Sequence, residues 1–178
     1  MLLCVDPGIR GSGAALFNEY TKTLLRAAYV KNADPTGGGL EEHNQMAKCI
    51  LFWAEKAEKP KKIDYDNGRA ELLVEWMQIY PDEREVNPNT SLLPLIGVVA
   101  HLSGARQWGG RISYRPHEWK RSLNGDAMTQ RILERLAPEE KLAIEPCGMS
   151  VYHNAVDAVG LGLRHLGRLE RKRVFPRE

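Results

Sequence analysis

The chain begins with four apolar residues, Leu2-Leu3-Cys4-Val5, that stop at Asp6-Pro7-Gly8. A run this short, closed by an acid and a turn-forming Pro-Gly pair, reads as a buried strand. Gly11-Ser12-Gly13 follows, and then Ala14-Ala15-Leu16-Phe17 resumes the apolar pattern. Thr23–Val30 adds a third run. Three short strands with turn residues between them predict an antiparallel meander, on which the remaining chain must pack.

Ala33–Gly39, with Pro35 and three consecutive glycines, is a loop. Apolar residues at Met46, Ile50, Trp53 and Ala57 then predict an amphipathic helix over Leu40–Glu58, stopped by Pro60. Leu72–Met77 is a strand apolar on both faces, as a central strand covered by helices must be, and Glu75 interrupts it. Beyond a polar loop at Pro81–Pro88, a helix is expected over Ser91–Arg106 and a strand over Arg111–Tyr114. Pro116 opens a short helix through Ser122; Thr129–Leu136 is a further helix and Pro138–Leu142 an added turn. Tyr152–Arg173 is expected as a long helix, apolar at Val156, Val159, Leu163 and Leu166. This order predicts an α/β fold, a mixed five-stranded sheet with an antiparallel three-stranded meander and helices on both faces. With 178 residues, one domain over 1–178 is expected, with a basic tail over about 168–178.

No apolar run approaches the roughly 18 residues of a membrane span, and Asp6 comes too early for a signal peptide. Cys4, Cys49 and Cys147 are far apart and form no C-x-x-C pair, which fits a reducing cytoplasm and argues against zinc or disulfides. The net charge of +2 conceals a division: residues 1–90 hold 11 Lys+Arg against 14 Asp+Glu, and residues 91–178 hold 14 against 9. Opposite charges can therefore lie on different surfaces, or the division is mere scatter.

Three acids stand in apolar company, where an ionised carboxylate is costly without a cation or hydrogen bonds. Asp6 ends the first strand, Glu75 interrupts the central one, and Asp157 lies in Ala155-Val156-Asp157-Ala158-Val159. Each has a plainer reading: Asp6 as a turn cap, Glu75 as a solvent-facing edge acid, Asp157 as the partner of an arginine. If all three converge at one end of a sheet, divalent cations relieve their repulsion, and magnesium prefers such oxygen ligands. Two ions roughly 3.5–4 Å apart are the usual apparatus for hydrolysing a phosphodiester.

A first strand ending in Asp-Pro-Gly with a glycine-rich return (Leu3 to Gly13), then a strand glutamate, then Asp-Ala at a C-terminal helix resembles the RuvC-type Holliday-junction resolvases, from residue 2 to about residue 166. The resemblance implies an RNase H-like fold of the retroviral-integrase-like superfamily. It further implies metal-dependent endonuclease cleavage of four-way DNA in symmetric paired cuts, leaving 5′-phosphate and 3′-hydroxyl ends. Two Mg²⁺ or Mn²⁺ ions per site and a homodimer go with it. Segments 31–70 and 107–150 match no family motif closely, so a divergent member is implied, with a phage origin and a host-cytoplasmic location among the expectations. Asp6, Glu75 and Asp157 match the family's ligands. Its fourth ligand, Asp or His, falls three residues before the last acid, where this chain has Asn154 preceded by His153. Three readings stand side by side: Asn154 is an inactivating Asp→Asn replacement, His153 substitutes as ligand, or a weaker second site is natural to the protein.

Arg106, Arg111, Arg115, Lys120 and Arg121 place five cations within sixteen residues, interleaved with Tyr114, His117 and Trp119. Phosphates need such cations, and aromatic rings stack on exposed bases, so these residues are candidates for DNA binding. Trp119 is equally well read as a core anchor. Arg10 is a candidate for the scissile phosphate. A second basic cluster comprises Arg164, Arg168, Arg171, Lys172, Arg173 and Arg177. The family's stacking aromatic corresponds to Gln78 here, which leaves Tyr80 as the candidate, with Trp76 nearby. The helix over Ser91–Arg106 is either the dimer interface or a core helix. An actin-like ATPase shares the opening motif, yet this chain lacks the duplicated domain and second phosphate loop, so no nucleotide cofactor is expected. A branched-DNA binder without catalysis is the principal alternative.

Overall fold

A computed structural model describes residues 1–34, 39–56, 70–77 and 88–170. Nearly continuous burial marks β1 (Leu2–Asp6) and β2 (Gly11–Asn18) as inner strands, and β3 (Thr23–Lys31), with exposed positions among buried ones, completes the predicted meander. α1 (Gly39–Lys56) precedes β4 (Glu71–Glu75), and α2 (Pro88–Gly104) precedes β5 (Gly110–Tyr114). Three short helices, α3 (Pro116–Trp119), α4 (Gly125–Leu133) and α5 (Pro138–Leu142), lead to α6 (Met149–His165).

The five strands form one sheet in the order β3-β2-β1-β4-β5. β1 runs antiparallel to β2 and parallel to β4, and β4 runs parallel to β5. The carboxyl ends of β1, β4 and β5 therefore share one edge, where open α/β sheets place their ligands. Side-chain alternation divides the core into two layers. Leu2, Cys4, Ala15, Phe17 and Leu73 face α6, α4 and Trp119 of α3. Leu3, Val5, Leu16, Leu72 and Val74 face α1 and α2.

Several boundaries differ from the sequence reading. β4 stops at Glu75, so Trp76 and Met77 lie beyond it. α4 begins earlier, at Gly125, because the Asn124 side chain accepts a hydrogen bond from the Ala127 N–H and caps it. α6 starts at Met149 and ends at His165 instead of running to Arg173. Gly167, with φ of 71°, breaks the helix. Its N–H bonds the Arg164 carbonyl, and the Arg168 N–H bonds the Leu163 carbonyl, the paired bonds of a Schellman stop.

Arg168 also departs from its tail assignment. Its guanidinium bonds both carboxylate oxygens of buried Glu140, at 2.6 and 2.7 Å. Glu140 in turn accepts from the backbone N–H groups of Leu24 and Ala137. Burial alone would raise the Glu140 carboxyl, but Arg168 and the two amides outweigh it and bring it down to about 2. Arg168 thus fastens the end of α6 to α5 and β3.

Candidate active site

The two-residue period of the strands puts Asp6 and Glu75 on the α6 face, continuing the Leu2-Cys4 and Leu73 rows. Val5 pairs with Val74, so Asp6 and Glu75 are the next residues along two neighbouring parallel strands. The third acid comes from α6, and a missing side chain brings that helix down. Gly13, the register partner of Asp6, lies so close to α6 that an added Cβ would fall 1.8 Å from the Asn154 carbonyl oxygen. Only glycine permits this contact, and Asp157 follows one helical turn later.

The three acids feel one another. Burial pushes the Asp6 carboxyl well above its ordinary range, and the Glu75 and Asp157 carboxylates push it further, against the pull of Lys120. Glu75 is raised as well, chiefly by burial, with the Lys120 ammonium opposing. Lys120 caps the carboxyl end of α3, and its Nζ sits between two of the acids, 2.7 Å from Asp157 Oδ2 and 3.4 Å from Glu75 Oε2. Burial disfavours that ammonium, but Glu75, Asp157 and Asp6 together hold its pKa above the ordinary value. Trp119, 2% exposed, donates its indole N–H to the same Glu75 oxygen at 2.9 Å.

Three carboxylates facing one ammonium leave net negative charge in a half-buried pocket whose donors are all oxygens. That donor set suits a hard divalent cation. Among the described residues, no three His, Cys, Asp or Glu side chains are already closed around a common metal position. The positive charge between Glu75 and Asp157 is that of Lys120 Nζ.

The other candidates divide. Arg10 is exposed in the turn that follows Asp6, Arg115 is exposed at the start of α3, and Arg121 is exposed just past Lys120. All three flank the acid edge. Arg121 adopts a left-handed backbone with φ of 57° and pairs with Glu170 at 3.1 Å, and Glu170 also pairs with Arg164. Arg106 and Arg111 are not brought to the acids. Arg111 donates to the Ser103 and Arg106 carbonyls, and Arg106 pairs with Glu55, so both belong to the α1–α2 face. His153 is exposed, and Asn154 is half-buried against β2. Gln78, Tyr80 and the basic residues Arg171, Lys172, Arg173 and Arg177 lie outside the described residues.

Sequence reasoning placed Lys120 among the DNA-contacting cations and missed its seat among the acids. The signal was present: Glu75 needed a partner, and a one-turn helix opened by Pro116 carries Trp119 into the core with Lys120 at its end. Trp119 is a core residue and also a hydrogen-bond donor to the site.

No family model matches the chain, and no curated protein matches its sequence. Solved structures do match. The chain is similar to "T. thermophilus RuvC in complex with Holliday junction substrate", with a TM-score of 0.54 and 20% identity over 92% of this chain and 90% of that one. It is similar to the Thermus thermophilus RuvC structure with a TM-score of 0.53 and 14% identity over 94% and 96% of the two chains. The strand order, the helices on both faces and these matches together show that the chain has the RNase H-like fold of the RuvC-type resolvases.

Proposed function

We propose that the protein is a metal-dependent endonuclease that resolves four-way branched DNA. The observation that carries this reading is the convergence of Asp6, Glu75 and Asp157 around one ammonium at the carboxyl edge of the sheet. Likeness to a RuvC structure that holds a Holliday junction supports branched DNA as the substrate.

Asp6, Glu75 and Asp157, with the amide oxygen of Asn154 as a neutral fourth donor, are the residues that would hold Mg²⁺ or Mn²⁺. When bound, such ions supply an activated water and neutralise charge at the scissile phosphate. Lys120 compensates the acids in their absence and, on its four-carbon stem, can swing to a phosphate oxygen. Arg10, Arg115 and Arg121 bind phosphates around the rim. Paired cuts require two sites, which a homodimer supplies. Val98, Val99 and Leu102 of α2 are buried in the core, while Leu93 and Ile96 on the same helix are exposed, 54% and 39%, and form the candidate dimer contact.

Two observations favour a second reading, a branched-DNA binder without catalysis: Lys120 already satisfies two of the acids, and Asn154 lacks the charge of a fourth ligand. The two readings separate on junction cleavage with Mg²⁺ or Mn²⁺. On the nuclease reading, Glu75→Gln abolishes cutting and keeps junction binding; a Glu75→Gln protein that cuts normally defeats it.

A further inference from the structure

We infer that Trp119 is a positioning residue that fixes the Glu75 carboxylate for metal binding, an inference that rests on the metal-dependent reading above. Glu75 ends its strand, and a glutamate there has three side-chain torsions to restrain. Two donors reach its Oε2, the Trp119 indole at 2.9 Å and the Lys120 ammonium at 3.4 Å. They differ in what a divalent cation does to them. The ammonium carries like charge and would be repelled by a bound cation. The indole N–H is neutral and would stay on Oε2, which keeps Oε1 free as a donor.

The indole is itself held rigidly. Trp119 is buried against α6, where an added Cβ at Gly160 would fall 2.5 Å from its ring and 2.6 Å from Ile132. A phenyl ring would fill most of this space without a polar atom, whereas a buried indole N–H requires an acceptor. Trp108 meets that requirement on a backbone carbonyl, that of Leu102. Trp119 meets it on an acid of the site. A donor that orients a metal-ligating carboxylate typically contributes tenfold or more to metal affinity.

The test uses the full chain without DNA. Mn²⁺ binding is measured by electron paramagnetic resonance for the parent and for Trp119→Phe, and Mg²⁺ is titrated into ¹⁵N-labelled protein. The Trp119 indole resonance is identified as the one missing from Trp119→Phe, and the surviving indole resonances report whether the variant is folded. We expect roughly tenfold weaker Mn²⁺ binding by the variant. In the parent, the Trp119 resonance should shift along the Mg²⁺ titration with the same midpoint as the other resonances that Mg²⁺ moves. Parent-like affinity in a folded variant, or an unmoved Trp119 resonance in a parent that binds metal, overturns the inference and leaves the nuclease reading standing. If Trp119→Phe does not fold, its lost resonance is assigned by sequential NMR in the parent, whose Mg²⁺ response then decides. A parent that binds neither ion overturns both.

Discussion

The Lys120 ammonium reaches the Asp157 carboxylate at 2.7 Å and so ties α3 to α6 across the carboxyl edge of the sheet. Both side chains are mostly buried, and a charged hydrogen bond of this kind is worth about 1.5–3 kcal/mol. Lys120→Met should therefore destabilise the metal-free protein by about 2 kcal/mol in urea unfolding. Added Mg²⁺ should stabilise the variant more than the parent, because the ion replaces the lost positive charge.

Asp6 predicts the opposite sign. Its carboxyl is raised by burial and by two neighbouring carboxylates, so ionising it works against folding. Asp6→Asn should raise the melting temperature without divalent metal, and Mg²⁺ should stabilise the parent but not the variant. Thermal scans with and without Mg²⁺ check both statements.

Gly13 sets the height of α6 above the sheet. Gly13→Ala puts a methyl group into the Asn154 backbone and should cost about 3 kcal/mol or more, since neither backbone can yield cheaply. Denaturant unfolding measures it.

Glu140 governs the acid limb of stability. Its carboxyl is held at about 2, below the ordinary 4.5, so its contribution is complete above pH 4.5 and is lost as pH falls toward 2. The shift corresponds to about 3 kcal/mol. Glu140→Gln should lose that amount at pH 7 and show a flatter dependence between pH 4.5 and 2.

The acids were legible in the sequence because an ionised group inside an apolar run demands a reason, and Asp6, Glu75 and Asp157 shared one. The meander and the succession of strands and helices along the chain were legible from short runs and turn residues, whereas the order of the strands across the sheet was not. The cations were harder, since a lysine or arginine in a polar stretch carries no mark of its direction. Arg111 is the exception: in a strand it alternates with Ile112 and Tyr114 and so faces away from Tyr114, which grouping the two in one cluster overlooked. Lys120 required knowing that α3 is one turn long and anchored by Trp119. Arg168 required the Gly167 stop, which ends α6 eight residues before the expected Arg173.

The central claim is that the acid edge is a nuclease centre. Its most direct test is cleavage of a synthetic four-way junction in Mg²⁺ or Mn²⁺ by the chain as it stands and by Asn154→Asp. Paired symmetric cuts with 5′-phosphate ends are expected, faster with Asn154→Asp and absent when Asp6→Asn is added. Junction binding without cleavage by either form, in either metal, would contradict it.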